Sequence, residues 1–376
     1  MAAIEIPKEL LPSDGRFGAG PSKIRSEALD ELLALAPTYL GTSHRQATVK
    51  DVVGRIRSGI SRLFSIPEGY EVVLGNGGST AFWDVATFCL IERKSQHLSF
   101  GEFSSKFAQS SQMAPFLEDP IVITSETGTH PDAVAMDEID CYGLTHNETS
   151  TGVMMNITRP RYGNSSPAEG IVVVDATSAA GGIRVDIAET DVYYFAPQKC
   201  FGSDGGLWIA IMSPKALERS ALIGASGRYI PPFLDLNIAI ENSRLDQTYN
   251  TPALVTLMLL AEQVEWFNAN GGLAWSSARS DASATILYGW AETSPVAEPF
   301  VKEPKERSTV VGTIDFVEGI DASAIAKVLR ANGIVDTEPY RKLGRNQLRI
   351  SMFPGVESSD IERLTGCIDY VIAKLS

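Results

Sequence analysis

Cysteine is scarce in this chain, and basic charge is outnumbered. The four cysteines among 376 residues, Cys89, Cys141, Cys200 and Cys367, form no CxxC pair and no metal-like spacing. That pattern argues against a disulfide scaffold and a zinc site, and it fits a reducing compartment. The 32 Lys and Arg face 46 Asp and Glu, for a net charge of −14. Nucleic acid and anionic membrane both reward a basic surface, so neither is expected as a partner. No stretch approaches the ~18 consecutive apolar residues of a membrane span. The longest candidate, 253–261, is interrupted by Thr256. The first residues carry acids and no long apolar core, so no secretory signal is read there, and the cytoplasm is the expected location. Internal repeats and low-complexity tracts are missing too.

What is present is alternation. A helical stripe (Val49, Val52, Val53, Ile56, Ile60, Leu63) is followed by a strand over 70–74 and an apolar helix over 81–91. Short apolar runs at 121–124, 144–146, 171–174, 192–196 and 206–212 alternate with helical or loop segments, the pattern of a mostly parallel sheet. Thr251-Pro252 is expected to open a long helix that Asn270-Gly271-Gly272 ends, with Thr as N-cap and Pro at the first position. Residues 293–307 read as a loop. Beyond it lie a strand (310–316), a helix (322–331), strands (334–336, 347–352) and a helix (359–375). These patterns predict an α/β chain with a large domain over 16–268 and a smaller one over 269–376. Residues 1–15 are expected to pack on the smaller domain.

Lys199 and Asp175 both sit just past apolar runs that read as buried strands, where open α/β folds place their ligand chemistry. A lysine there, with an acid at a neighbouring strand end, suits pyridoxal phosphate (PLP). The amine forms a Schiff base, and the carboxylate keeps the pyridine nitrogen protonated so that the ring accepts electrons. The same two residues would also serve as a loop lysine and a helix N-cap. Gly75-Asn76-Gly77-Gly78-Ser79-Thr80, between strand and helix, offers bare N–H groups and a positive helix end to a phosphate. It has neither the Walker ending nor the dinucleotide spacing. Asn250-Thr251-Pro252 is a second such helix start, and plain capping explains it equally well. His44-Arg45 sets an imidazole beside a guanidinium that fits carboxylate or phosphate, although a solvated charge pair is the commoner meaning.

These pieces stand in the order seen in the phosphoserine aminotransferase family, which the chain resembles along nearly its whole length. The landmarks are Phe17-Gly18-Ala19-Gly20-Pro21, Ser43-His44-Arg45, Gly75-Asn76-Gly77-Gly78, Asn147-Glu148-Thr149, Asp175-Ala176-Thr177-Ser178, Gln198-Lys199, Asn250-Thr251-Pro252, Asn270-Gly271-Gly272 and Arg349-Ile350-Ser351. The resemblance implies a PLP-dependent transferase of fold type I, a large domain with a seven-stranded-type sheet plus a small domain, and a homodimer with shared active sites. It implies transfer of the amino group between glutamate and 3-phosphohydroxypyruvate, giving phosphoserine and 2-oxoglutarate in serine biosynthesis. In some members a related substrate on the pyridoxine pathway is also used. By resemblance, Lys199 is the Schiff-base lysine and Asp175 pairs with the pyridinium. Gln198 and Thr149 would bond the cofactor, and Gly78 and Ser79 would cradle its phosphate. Asn250 and Thr251 would join that cradle from the other subunit. Arg349 would clamp the substrate carboxylate, and His44 and Arg45 of the partner chain would take the substrate phosphate. No metal is implied.

Two departures mark a divergent branch. Ser79 stands where the family often has arginine, so Lys342 or Arg345 would have to supply a cation. Phe103 stands where the stacking residue is often Trp, and a smaller ring still stacks. The rival reading is another aminotransferase of the same class, acting on alanine, serine or glyoxylate. His44-Arg45 and the Lys342/Arg345 pair would be surplus for it. A cysteine desulfurase is disfavoured, since Cys367 lies in the terminal amphipathic helix. A non-catalytic binding module would be expected to lose Lys199 or Asp175.

Overall fold

In the computed structural model, which describes residues 4–163 and 166–375, the apolar runs become one central sheet. Its strands are β1 (Glu71–Asn76), β2 (Ser95–Ser99), β3 (Ile121–Thr124), β4 (Cys141–Thr145), β5 (Ile171–Asp175), β6 (Val192–Phe195) and β7 (Leu207–Met212). Their spatial order is β1-β7-β6-β5-β4-β2-β3. The four pairings from β6 to β3 are parallel. Strand β7 runs antiparallel to both β1 and β6. The C-terminal ends of β1, β4, β5 and β6 therefore share one edge, and reversed β7 enters at that same edge. Strand β5, Ile-Val-Val-Val-Asp, is buried at every position, as a strand covered by helices on both faces must be.

The described residues form ten helices longer than one turn: α1 (Ser26–Tyr39), α2 (Ala47–Leu63), α3 (Gly78–Cys89), α4 (Glu102–Gln112), α5 (Pro214–Ala225), α6 (Leu236–Arg244), α7 (Leu254–Ala269), α8 (Gly272–Thr293), α9 (Ala322–Ala331) and α10 (Ser358–Leu375). The stripe expected on α2 is buried at all six positions. Helix α7 is apolar around most of its circumference because it is sandwiched between neighbours, packing on α1, α2 and α8.

A second apolar core holds Ala284, Leu287, Tyr288 and Ala291 of α8 together with α9, α10 and the antiparallel sheet β8 (Ala297–Pro299), β9 (Val311–Phe316) and β10 (Gln347–Ser351). Ile6 and Phe17 belong to that core. Ser13 donates through both N–H and Oγ to Asp360 Oδ1, each at 2.7 Å. Leu273 and Trp275, at the other end of α8, pack on the first core instead.

Several local expectations are corrected. The helix expected from Thr251 starts at Leu254, with Ala253 as N-cap. The Thr251 hydroxyl is engaged by His44 Nδ1 at 3.2 Å instead of folding back on a helix N–H. The strand expected over 334–336 is a single bridge between Val335 and Arg16. The loop expected over 293–307 contains β8. Strand β2 (Ser-Gln-His-Leu-Ser) escapes an apolar-run search because it buries polar side chains. Gln96 exchanges hydrogen bonds with the Val134 backbone, and His97 Nε2 meets Ser95 Oγ at 3.0 Å.

Candidate active site

A cavity of about 260 Å³ opens at the shared strand edge, lined in part by Gly78, Ser79, Phe103, Thr149, Asp175, Gln198 and Lys199. The topology brings them together. Asp175 ends β5, Gln198 and Lys199 follow β6, Gly78 and Ser79 begin α3 after β1, and Thr149 follows β4. Trp83, Thr145, Asn147 and Thr177 complete much of the wall.

Lys199 Nζ donates to Ala19 O at 2.6 Å. A Cβ on Gly20 would stand 2.0 Å from that nitrogen, so the Gly18-Ala19-Gly20 segment reaches the lysine only because Gly20 has no side chain. Burial, followed by the positive charge of Arg349, lowers the Lys199 amine from 10.5 to about 8. Asp175 Oδ2 accepts from Trp83 Nε1 at 2.9 Å. Its Oδ1 accepts from Thr177 N at 2.9 Å and from Thr177 Oγ1 at 2.5 Å. Three donors fix the plane of the carboxylate.

Helix α3 begins at the cavity with no side chain capping its first turn. Gly77, at φ +114°, adopts a conformation that side chains avoid, and its N–H bonds Gly206 O at 2.9 Å. The free N–H groups of that turn and the helix dipole make an anion cradle. Ser79 Oγ lies 2.7 Å from Thr177 Oγ1, whose own proton goes to Asp175, so Ser79 donates in this pair and ties cradle to acid.

The segment 147–150 joins the remaining parts. Asn147 Nδ2 and Thr149 Oγ1 both donate to Ser178 Oγ at 2.8 Å. Thr149 O accepts from Arg349 Nη1 at 3.1 Å, which sets the guanidinium beside the cavity. Arg349 Nε is buried without a partner, and the guanidinium lies 5.4 Å over the Tyr340 ring. Tyr340 in turn meets the Phe103 ring at 5.9 Å.

His44, Arg45, Asn250 and Thr251 are absent from this lining and form a cluster of their own. Besides the His44–Thr251 contact, Arg45 donates to Gln247 Oε1 and, at 3.3 Å, to Tyr249 O. Asn76 Nδ2 donates to Asn250 Oδ1 at 2.8 Å. Arg345 is not a free cation: it pairs with Asp315 and lies 4.5 Å over the Phe300 ring. Lys342 pairs with Glu102 and borders a second cavity, about 340 Å³, which Tyr340 also lines. Trp83 was not singled out from the sequence, and Glu148, Thr177 and Ser178 stood within quoted landmarks without an assigned role. Only Thr177, two residues from Asp175 in an Asp-Ala-Thr turn, carried a local signal.

The donor set fits pyridoxal phosphate. The cavity offers an amine, an acid locked in orientation and an uncapped helix start. Gln198 Oε1, on the same wall, is buried with no partner. Among the described residues there is no cluster of His, Cys, Asp and Glu able to hold a metal, and no helix long and apolar enough to cross a membrane.

The family model for aminotransferase class-V matches residues 17–364. The chain is 62% identical to the phosphoserine aminotransferase of a Nocardioides species, over 99% of both chains. It is 58% identical to the phosphoserine aminotransferase of Rhodococcus jostii, over 98% of both. Among solved structures, a phosphoserine aminotransferase from Cytophaga hutchinsonii superposes with a TM-score of 0.87 at 22% identity, covering 95% of this chain and 99% of that one. An aspartate aminotransferase from Thermus thermophilus superposes at 0.80 and 21% identity, covering 96% of this chain and 99% of that one, so the fold by itself does not select the substrate.

Proposed function

We propose a single reaction for this chain, which belongs to the aminotransferase class-V family: PLP-dependent transfer of the amino group between L-glutamate and 3-phosphohydroxypyruvate, giving O-phospho-L-serine and 2-oxoglutarate. The observation that carries this reading is Lys199 and Asp175 on the wall of one cavity, with an uncapped helix start beside them. Relatives at 62% and 58% identity carry the name of that activity.

Bound pyridoxal phosphate supplies an aldehyde for amine condensation and a ring that takes up the electrons released when a substrate Cα–H bond breaks. The protein's residues do the rest. Lys199 would hold the cofactor, and its freed amine would take and return the proton at the substrate's α-carbon. Asp175, held by Trp83 and Thr177, orients and charges the ring nitrogen. Gly78 and Ser79 receive the cofactor phosphate. Gln198 and Thr149 bond the ring's substituents, and Phe103 covers one face. Arg349 binds the α-carboxylate common to both amino donors.

A homodimer with shared sites is part of this reading. Tyr249 (46% exposed), whose carbonyl Arg45 meets, and Leu245 (62%), whose carbonyl Gln247 meets, leave apolar surface beside the cluster of His44, Arg45, Asn250 and Thr251. Covering that surface with a second copy would deliver the cluster to the neighbouring site. Asn250 and Thr251 would complete the cofactor cradle, and His44 and Arg45 would meet the substrate phosphate. The two cations considered for the role that Ser79 cannot fill are both paired with acids, and we favour Lys342 because it borders a cavity while Arg345 is stacked on Phe300. The division near residue 268 into a cofactor-holding domain and a small domain draws its support from the second apolar core, held mostly by residues 284–371, while Phe300, Val301, Val310, Val311 and Phe353 join the first. We place the reaction in serine biosynthesis in the cytoplasm, with the phosphorylated threonine-type substrate of pyridoxine synthesis as a second substrate to test.

A coupled assay with phosphoserine and 2-oxoglutarate, run beside alanine and serine, tests the reading. Turnover of phosphoserine well above the others is expected. Equal or better turnover of alanine or serine would overturn it.

A further inference from the structure

Helix α4 starts at Glu102, and its N-cap residue, Gly101, offers the first turn no side chain. Three N–H groups there need acceptors. All three find them on one short segment from the other side of the cleft. Glu102 N donates to Ser150 Oγ at 3.0 Å, and Phe103 N and Ser104 N donate to Glu148 Oε2 at 3.1 and 2.9 Å. Ser104 Oγ donates to the same oxygen at 2.9 Å. The other oxygen, Oε1, accepts from Ser150 N at 3.1 Å and Ser150 Oγ at 2.7 Å.

Glu148 is thus fully buried with five donors on its carboxylate; burial raises its carboxyl above the usual range, and the Ser104 and Ser150 donors together with the positive helix end work against that. The approach is close. A Cβ on Gly101 would stand 2.3 Å from Glu148 Cγ. The residue so held in α4's first turn is Phe103, whose ring lines the Lys199 cavity. Thr149, next to Glu148, anchors Arg349 through its carbonyl.

We propose that Glu148 is a positioning residue for the reaction: by clamping the first turn of α4 it fixes Phe103 on the wall of the cofactor cavity. The inference rests on the reading of that cavity given above, and it assigns the acid of Asn147-Glu148-Thr149 a task that its neighbours do not share. Glu148 touches none of the reacting groups and acts through Phe103.

Glu148→Gln is the direct test, because the amide is nearly isosteric. Its NH2 must face either the Phe103 and Ser104 N–H groups or the Ser150 N–H, donor against donor in both orientations. Hydrogen–deuterium exchange, measured with and without added pyridoxal phosphate, should show the amides of 102–104 exchanging about tenfold faster or more, the equivalent of one lost hydrogen bond. Amides of β5 and β6 should keep their protection. In steady state kcat should fall about tenfold or more by the same count while KM changes less. The double variant with Phe103→Leu should be no worse than the worse single variant, since both changes act through one ring.

Unchanged exchange at 102–104, or losses in kcat that multiply in the double variant, would overturn the proposal. If Glu148→Gln does not fold, Ser104→Ala and Ser150→Ala each remove one hydroxyl donor and keep the charge. Both should speed exchange in the same segment, and if neither does, the proposal fails. Failure of the native protein to take up pyridoxal phosphate would overturn the cofactor reading and the proposal with it. Uptake with a fully active Glu148→Gln would overturn the proposal alone.

Discussion

Trp83 Nε1, on α3, donates to Asp175 Oδ2 at 2.9 Å, linking the helix that begins at the phosphate cradle to the acid at the end of β5. Both residues are buried, at 7% and 3% exposure, so the bond is shielded from water. One side chain thereby couples the two anchoring points proposed for the cofactor, its phosphate and its ring nitrogen.

Trp83→Phe keeps an aromatic in place and deletes the donor. Losing a hydrogen bond to a charged group costs about 1.5–3 kcal/mol. Turnover is expected to fall roughly tenfold to a hundredfold, with the fold retained. Kinetics alongside the absorbance of bound cofactor check this, and wild-type turnover in a well-folded variant would show that Thr177 alone orients the acid.

Lys199→Ala should leave a folded protein that holds the cofactor only by non-covalent contacts. Turnover should collapse by several orders of magnitude, on the order of what removing a catalytic nucleophile does elsewhere. Near-normal transamination would displace Lys199 from its assigned role.

These two residues differ in how far the sequence exposed them. Lys199 follows an apolar run, and a lone amine at a strand end is unusual enough to draw the eye. Trp83 lies in an apolar helix, where an indole looks like core until its partner arrives from a strand 92 positions away. Glu148 gave no periodic signal, because three of its five donors sit on α4 and nothing in a short loop announces a distant helix start. The sheet was legible where burial made strands apolar, as in β5 and β7. Strand β2 was hidden by its buried polar residues. The expected cap at Thr251 failed for a related reason: His44, 207 positions away, claims its hydroxyl. Local pattern found the elements, and long-range bonds decided which side chains serve the site.

The lowered Lys199 amine gives a pH prediction. Its value in the folded chain is about 8, against 10.5 ordinarily. Between those values the unfolded chain binds a proton that the folded one does not, so this group's contribution to stability rises with pH across that window. Below about 8 the buried charge is present in the folded state and its penalty is complete. Covalent capture of added pyridoxal phosphate by cofactor-free protein needs the neutral amine, so its rate should climb with pH through about 8. Arg349→Gln removes a nearby positive charge and should move that midpoint upward. A flat profile, or a downward shift in the variant, would contradict the electrostatic account.

Substrate choice is the sharpest test of the shared-site reading, because it separates residues that a generic aminotransferase would also need from those that only a phosphorylated substrate requires. Arg349, anchored at Thr149 O beside the cavity, should bind the α-carboxylate of phosphoserine and glutamate alike. Arg45, braced by Gln247 and the Tyr249 carbonyl, has its guanidinium outside its own chain's cavity. Arg45→Ala should raise KM for phosphoserine by about tenfold to a hundredfold, the cost of one charge-assisted contact, and spare glutamate. Arg349→Ala should weaken both donors. Mixing inactive Lys199→Ala chains with Arg45→Ala chains should restore phosphoserine turnover, since one of the two sites in each mixed dimer then carries neither lesion. Subunit exchange without any recovery would mean that Arg45 serves its own chain, and equal losses for both donors in Arg45→Ala would remove the phosphate role altogether.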